Sequence, residues 1–489
     1  MRKSSRLALL VFSSLLLSIV PPRQSEECGS YPDWEEYRMR FFEPGLDGQV
    51  ALSPFYYTQH WLYGNAESDP EREDMLRNCR EWQSYLGRDV ALADIDSILY
   101  GGKSADDILI PLKSNGLESA FPGNTFVKRL IEPRHHAALE YLTFTKKLEF
   151  LQHAEEDPWQ EWPAERSADT TFYNWDKQVE TICKQSLDGL DANASDPFLK
   201  KRYAYQAIVC QRYYGDEKLA VSLFDRNFNL ADSSILMPWA LIHKAECLLH
   251  RGDSLEYNYL LAKVFDNCND KKKRAGQLFV SAWTEKTLTQ APTSVDKALV
   301  LTMQAMQYPG RGLPLLSRIV NFDPNCRYLP LLISREINKL EDWTLTEKLT
   351  GYESLNMPDA FYQDFYSNND AENMEAKLAQ KEAAWRQNNL IKDRAYLREL
   401  RQWIETLLQR DGLPGQRDFL KLAAAHLLFL EGNYSAAQAQ LSGISSAAPA
   451  RLRLQRDVES LLLVPYYRNV KEATVQNDLA SQLRHIWEQ

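Results

Sequence analysis

The sequence predicts an all-α protein built largely as an α-solenoid, in which short helix pairs stack on one another. The first observation is a stripe of apolar residues at helical spacing, which indicates an amphipathic helix from Phe419 to Leu430. The second is Gly432 just after that stripe, because glycine can end a helix in the left-handed conformation at little cost. The third is that no segment alternates between apolar and polar residues long enough to predict a β-sheet.

Three segments follow the same plan of two helices joined by a glycine turn. After Gly432 a second helix is expected to end before Pro449, and its inner face consists of Ala436, Ala437, Leu441 and Ile444. Similar pairs surround Gly252, from Trp239 to Phe265, and Gly215, from Tyr203 to Phe224. A helix pair of this kind buries its apolar face only against neighbouring pairs, so the three are expected to belong to one array.

These residues resemble the tetratricopeptide repeat, a family pattern of small contact residues, a turn and a closing proline. The matching places are occupied by Ala425, Gly432, Asn433, Tyr434, Ala437 and Pro449. The family pattern has an aromatic residue near the start of its first helix, where this chain has Lys421. Gly215 and Gly252 lie slightly further apart than the family spacing of about 34 residues. Between Ala275 and Leu408 the helical spacing is irregular, which predicts degenerate or inserted repeats.

The N-terminus predicts export. Arg2, Lys3 and Arg6 precede an uncharged run from Leu7 to Val20, which is shorter than the roughly 20 apolar residues of a membrane-spanning helix. We interpret residues 1–22 as a signal peptide, with an uncleaved anchor as the alternative, and expect a periplasmic or other envelope location. Membrane association is expected only if Cys28 is lipidated, and Glu26-Glu27 just before it does not fit the sequence required for lipidation.

Composition then changes along the chain, which predicts an aromatic-rich helical N-terminal region over 23–180 and a tetratricopeptide-like region over 181–489. Within the first region, Asn78 to Tyr100 is predicted to form two helices joined around Gly87. The segments NCREWQSYL (78–86) and DIDSILY (94–100) are similar to those of uncharacterised exported proteins of Gram-negative bacteria. That resemblance implies an envelope location and brings no catalytic residues.

The predicted function is non-enzymatic binding of a protein or peptide, because stacked helix pairs present an extended surface for recognition. The outward residues chosen as possible partner contacts are Tyr203, Arg212, His243 and His250. The formal net charge of −10 disfavours nucleic acid as a partner. The basic run from Lys271 to Arg274 is interpreted as a solvated helix end.

The alternative function is envelope glycan binding, in a protein resembling the SusD-like family, which also mounts such helices and binds sugars on aromatic platforms. The aromatic residues that would form that platform are Trp34, Tyr57, Trp61, Trp159 and Trp162. A third possibility, a hydrolase, rests only on the carboxylates and tryptophans between Glu155 and Trp162. A cleft containing several of these rings would favour the glycan hypothesis.

No catalytic, metal-binding or cofactor-binding residues are predicted. His243, Cys247 and His250 recur along one helix face, but we interpret them as one buried thiol between two partly exposed imidazoles. Gly101-Gly102-Lys103-Ser104 lacks the first glycine and the preceding strand of a phosphate-binding loop. The seven cysteines are scattered, which favours buried free thiols, although Cys247 and Cys268 are expected to be near enough for pairing to remain open.

Overall fold

The computed structural model describes residues 40–46, 48–57, 70–101, 116–152, 175–350, 374–410 and 415–488. Over these ranges the regular elements are helices and no strand occurs, which confirms the all-α prediction. The signal-peptide residues and Cys28 lie outside the described residues. None of the described helices is both long enough and apolar enough to cross a membrane.

The first part of the described chain contains a short 3-10 helix at Val50–Phe55 and a group of helices that includes both helices predicted around Gly87. Its α-helices are α1 (Pro70–Leu86), α2 (Leu92–Leu99), α3 (Leu117–Ala120), α4 (Thr125–Leu130) and α5 (His136–Gln152). The next part contains α6 (Trp175–Ala192), α7 (Pro197–Tyr214), α8 (Glu217–Asn227), α9 (Leu236–His250), α10 (Ser254–Asn267) and α11 (Lys272–Leu278).

The irregular stretch predicted after Ala275 is helical with changing helix lengths. It contains α12 (Thr284–Thr287), α13 (Ser294–Gln307), α14 (Leu313–Phe322), α15 (Leu329–Glu341), a π-helical turn at Asp342–Thr346, α16 (Glu347–Thr350) and the long α17 (Met374–Leu408). The C-terminal helices are α18 (Arg417–Leu430), α19 (Tyr434–Ser442), α20 (Ala450–Tyr467) and α21 (Ala473–Glu488). Consecutive helices pack together in the three predicted pairs, α7 with α8, α9 with α10, and α18 with α19.

Two of the three predicted turns have the same hydrogen-bond geometry. Gly252 and Gly432 adopt left-handed φ angles of 86° and 81°. In each turn the residue after the glycine donates its N–H to a carbonyl in the last turn of the helix, from Asp253 to Leu248 and from Asn433 to Leu428, both at 2.9 Å. The side chains of Asp253 and Asn433 then cap the following helix. The glycine and the capping residue together explain why these turns are recognisable in the sequence.

The turn at Gly215 is built differently. Its φ angle of −138° is not left-handed. The Gln211 carboxamide oxygen accepts a hydrogen bond from the Asp216 N–H at 2.9 Å, and a Cβ atom on Gly215 would overlap that oxygen. Glycine is therefore favoured here by the close approach of a movable side chain and not by a left-handed φ angle.

Helix α15 is buried along its length except at Pro330, although half of its residues are polar. Lys339 Nζ donates to the carbonyl oxygens of Tyr308 and Gly310 at 2.9 and 2.8 Å and pairs with Glu336 at 2.6 Å. Glu336 in turn accepts the Gly312 N–H at 2.9 Å. The turn-rich loop between α13 and α14 is thus fixed by polar side chains from the core, as buried polar groups must be to avoid a desolvation cost.

The N-terminal segment 40–46 returns to the C-terminal half of the molecule. Glu341 Oε1 accepts the N–H groups of Phe41 and Phe42 at 2.8 and 3.0 Å. His426 lies beside it, with Nε2 3.0 Å from Glu341 Oε1 and Nδ1 2.8 Å from Glu459 Oε1. All three ionisable side chains are almost fully buried. Burial opposes the imidazolium, but the charges of Glu459 and Glu341 outweigh it and raise the pKa of His426 to about 10.

Candidate functional site

Two of the sequence-predicted contact residues, Arg212 and His250, meet at one carboxylate. Arg212 stands near the end of α7, Glu217 in the first turn of α8, and His250 at the end of α9. Glu217 Oε1 lies 3.3 Å from Arg212 Nη1 and 2.7 Å from His250 Nδ1. The side chain of Arg212 is 16% exposed, that of Glu217 28% and that of His250 50%, so this ionic cluster is accessible to solvent. Stacking of two helix pairs brings these helix ends together.

A second carboxylate, Glu246, extends the cluster toward α11. Glu246 is nearly buried, and its oxygens lie 3.5 Å from Arg212 Nε and 2.5 Å from Arg274 Nη2. Arg274 itself is half exposed. Burial opposes its charge, but Glu246 outweighs that effect and raises the pKa of Arg274. The two arginines are therefore oriented by shared acidic partners and keep part of their surface available.

The third predicted residue, His243, lies between two tyrosines at the same place. Its ring centroid is 6.3 Å from that of Tyr205 and 5.7 Å from that of Tyr213. Burial, together with the charges of Arg274, Lys271 and Arg212, lowers the pKa of His243 to about 3, so the imidazole is neutral at physiological pH. Its Nδ1 atom is buried and has no hydrogen-bond partner among the described residues.

Tyr213 is the most exposed aromatic residue of this cluster, with 42% of its surface accessible. The Arg212 guanidinium lies 5.4 Å from its ring centroid, in cation–π contact. We call Arg212, Tyr213, His243, His250 and Arg274 the Tyr213 face. An exposed ring with oriented cations beside it is suited to binding an acidic or aromatic segment of another molecule.

Tyr203 lies elsewhere. Its ring is buried, 5.0 Å from the ring of Tyr141 and 5.6 Å from that of Phe144, and it fills the space left by Gly189. The fold brings Arg212, His243 and His250 together and uses Tyr203 to pack α7 against α5 and α6. Burial of one side of α7 cannot be assigned from its sequence, because aromatic and charged residues occur on both faces.

The basic run is only partly a solvated helix end. Lys273 and Arg274 are exposed, but Lys272 is 3% exposed, with its Nζ 4.4 Å from the ring centroid of Phe265 and donating to the Phe265 carbonyl. Burial lowers the pKa of Lys272 to about 8. The helical period of α11 explains the difference, because it turns one lysine of the run inward. Tyr213, Glu246 and Arg274 were not predicted as contact residues, although the basic run was a visible signal for Arg274.

His243, Cys247 and His250 do not form a metal site. Cys247 is fully buried, whereas the His250 side chain is exposed and contacts Glu217. Within the described ranges, one group of three potential ligands is close enough for a metal, Asp74, Cys268 and Asp270. The six cysteines in those ranges are free and buried, as expected.

The Asp74 group is better explained by structural hydrogen bonds. Asp74 accepts the Asp270 N–H at 2.9 Å, while Asp270 Oδ1 accepts the Trp239 indole N–H at 3.0 Å and the Cys268 thiol at 2.6 Å. Burial raises the pKa values of Asp74 and Cys268. Both carboxylates and the thiol are engaged in hydrogen bonds, so we assign this group to the packing of α1 on the α10–α11 connection.

The aromatic platform of the glycan hypothesis falls largely outside the described residues. Trp34, Trp61, Trp159 and Trp162 are not among them, and Tyr57 is held by a hydrogen bond from its hydroxyl to Asp342 Oδ2 at 3.1 Å. Comparisons of the chain with protein-family models, curated proteins and solved structures give no match.

Proposed function

We propose that this chain is a non-enzymatic protein-interaction scaffold of the bacterial cell envelope that binds a protein or peptide partner on a helical-repeat surface. The observation that supports it is the Tyr213 face, where three helices contribute to one accessible cluster of an aromatic ring and oriented cations. Exposed aromatic and arginine side chains of this kind dominate the binding energy of many protein interfaces.

The charge of the Tyr213 face defines the chemistry of its partner. Exposed Lys273 adjoins Arg274 and adds positive charge, whereas Lys271 is paired with Asp270 at 3.1 Å. The acidic partners Glu217 and Glu246 are already engaged by Arg212, Arg274 and His250. This is a locally basic surface on a protein with a net charge of −10. We infer that the partner presents an acidic segment containing an aromatic or apolar anchor.

The proposed architecture is a tetratricopeptide-like solenoid. It is supported by contacts between successive first helices of the pairs, from α7 to α9, and by the continuation of packing from α10 to α13, from α13 to α15 and from α15 to α18. Two turns with the same glycine and capping geometry, at Gly252 and Gly432, also favour repetition of one unit. A solenoid of this kind would offer the Tyr213 face as part of a longer binding surface.

Site-specific crosslinking tests the proposal. A photoreactive amino acid placed at Tyr213 in the full chain, expressed in a Gram-negative host, should give a discrete adduct in the envelope fraction. The same reagent at Tyr467, which is 51% exposed, serves as the matched control and should not give that adduct. Lys273→Glu in the crosslinking chain should reduce the adduct at least about fivefold, because it reverses a charge beside the face.

Equal adducts from positions 213 and 467 would contradict the assignment of this face. No adduct from either position, with the chain folded and exported, would contradict the scaffold function itself. Fractionation of the same cells tests the export prediction separately. Export predicts a chain in the envelope fraction that has lost residues 1–22, whereas a cytoplasmic chain that retains them would contradict the signal peptide.

A further inference from the structure

A cavity of about 180 Å³ lies between the N-terminal helices and the helix pairs. Helices α1, α2 and α5 form one side, and α7 and α9 form the other. Its walls are largely aromatic, with rings contributed by Trp82, Tyr100, Tyr141, Tyr205 and Trp239. Tyr100, Tyr205 and Trp239 are only partly buried, so the cavity is reached from solvent on that side. The cavity shares no residue with the Tyr213 face, although Tyr205 in its wall lies beside His243 of that face.

Arg202 places a positive charge in the cavity wall. Its side chain is 2% exposed, and its guanidinium lies 4.7 Å from the ring centroid of Trp82 and 4.2 Å from that of Phe198. Among the described residues that line the cavity, none carries a carboxylate. A cation that is buried against aromatic rings is costly unless its N–H groups are satisfied by an acceptor.

The acceptors around Arg202 leave one N–H group unused. Its Nη2 donates to Asn78 Oδ1 at 2.8 Å, while the nearest carboxylate, Glu81, is 3.5 Å away. The oxygens of Glu81 already accept hydrogen bonds from the Ser234 hydroxyl at 3.0 Å and the Ile235 N–H at 2.7 Å. Arg202 Nε is buried without a hydrogen-bond partner among the described residues. Arg202 therefore forms a long ion pair with Glu81 and keeps one buried N–H donor without a partner among the described residues.

The remaining polar groups of the cavity favour an anion over a cation. Tyr100 and Tyr205 keep their protons, because burial raises the pKa of each hydroxyl. Asn78 Nδ2 donates to the Tyr100 oxygen at 2.6 Å, which leaves that hydroxyl proton available to an acceptor. The Gln206 carboxamide lies at the same wall, with Nε2 3.4 Å from the Tyr141 oxygen. Amide and hydroxyl donors grouped with a guanidinium match a carboxylate.

We propose that this cavity binds a small aromatic monocarboxylate, with the carboxylate on Arg202 and the ring between the aromatic side chains of the wall. The volume agrees with this class, because a cavity of about 150 Å³ is large enough to hold benzene. The arginine would supply a charge-assisted hydrogen bond, and the rings would supply apolar contact in offset or edge-to-face geometry. This proposal is independent of the protein-binding function, since the Tyr213 face plays no part in it.

Benzoate and its neutral isostere benzamide provide the first test on the unmodified full chain. Titration calorimetry should show saturable binding of benzoate with a Kd of about 1 mM or tighter, as a well-enclosed ligand of this size allows. Benzamide should bind at least about tenfold more weakly, because it cannot use the positive charge of Arg202. Absence of saturable benzoate binding, or equal affinities for the two compounds, would overturn the proposal.

A variant that fills the cavity tests the location. Thr145 is a partly buried wall residue whose hydroxyl donates to the Leu142 carbonyl of its own helix, so Thr145→Phe breaks no hydrogen bond between described helices. This variant should lose benzoate binding at least tenfold, whereas Arg226→Gln, a change at an exposed residue of α8, should keep the wild-type Kd. Unchanged binding in folded Thr145→Phe would overturn the assignment.

Photolabelling of the wild-type chain with 4-azidobenzoate tests the location of the binding site without a mutation. The labelled peptides should come from the helices that line the cavity, α1, α2, α5, α7 or α9, and excess benzoate should suppress the labelling. Labelling confined to other helices would contradict the assignment, even if Thr145→Phe fails to fold.

Discussion

The helix pairs around Gly252 and Gly432 and the central helix α15 are stabilised by different interactions. In the pairs, small and apolar residues such as Ala245, Ala425 and Leu428 are buried at the helix contacts, and one glycine with one capping side chain fixes each turn. In α15, the polar side chains Glu336, Lys339 and Glu341 are buried and bind loops that are distant in the sequence. Local motifs define the pairs, whereas long-range polar contacts define the centre.

The comparison predicts that the largest loss of stability follows a change in the central network. Glu341→Gln should lower the free energy of unfolding by about 3–5 kcal/mol, because it removes one of the two carboxylates that compensate buried His426. Urea denaturation of the full chain measures this effect. The control is Glu217→Gln, which breaks an accessible cluster and should cost about 1 kcal/mol or less. Equal costs for the two variants would refute the difference between buried and exposed networks.

The same histidine predicts a loss of stability at alkaline pH. The pKa of His426 is raised in the folded state to about 10, from an ordinary value of 6.5. The folded state therefore binds the proton more tightly, so its contribution is fully present below pH 6.5 and is lost as pH rises to about 10. The difference in unfolding free energy between the wild type and His426→Gln should shrink over this window. A difference that stays constant from pH 6.5 to 10 would show that His426 is not charged in the fold.

In the helix pairs, the change at a turn should have a moderate effect. Gly252→Ala is expected to cost about 1–2 kcal/mol, because alanine is strained at a φ of 86° although no atom lies within 4 Å of the added Cβ. Thermal and urea unfolding measure this cost. The cost should not be relieved by shortening neighbouring side chains, because none of them causes it.

Gly215 should give the smallest effect and a different dependence on its neighbours. Gly215→Ala is expected to cost about 0.5–1.5 kcal/mol by displacing the Gln211 side chain from the Asp216 N–H. In a Gln211→Ala background the same substitution should cost almost nothing, and a double-mutant cycle measures the coupling. An additive result would mean that Gly215 is required by its backbone conformation, as at Gly252.

The parts of the fold that the sequence predicts are those encoded by neighbouring residues. The all-α class, the helices joined around Gly87 and the turns at Gly252 and Gly432 follow from periodicity, glycine and capping residues. Of the candidate site, Arg212, His243 and His250 were identified and do lie together. The Tyr213 ring was missed, because exposure of one tyrosine in the pair Tyr213-Tyr214 depends on how α7 packs.

The long-range contacts had no local signal. Nothing in the sequence near Phe41 indicates that its N–H binds Glu341, or that buried Glu336 and Lys339 form a pair inside a core helix. A run such as Ser334 to Glu341 reads as partly exposed, because charged residues are rarely buried unless they are paired. The cavity at Arg202 was missed for the same reason, since its walls come from five helices separated by long stretches of chain.

The attachment of the N-terminal segment has a consequence for the order in which the molecule is completed during synthesis. Phe41 contacts Glu341 and Gln455, so its partners emerge from the ribosome some 300 to 400 residues after it. Contacts of such high sequence separation form late, because they require closure of the whole intervening chain. The first residues of the described fold are therefore among the last to form their native contacts. The core should therefore be completed only after the C-terminal helices have left the ribosome, and not when the early helices have been synthesised.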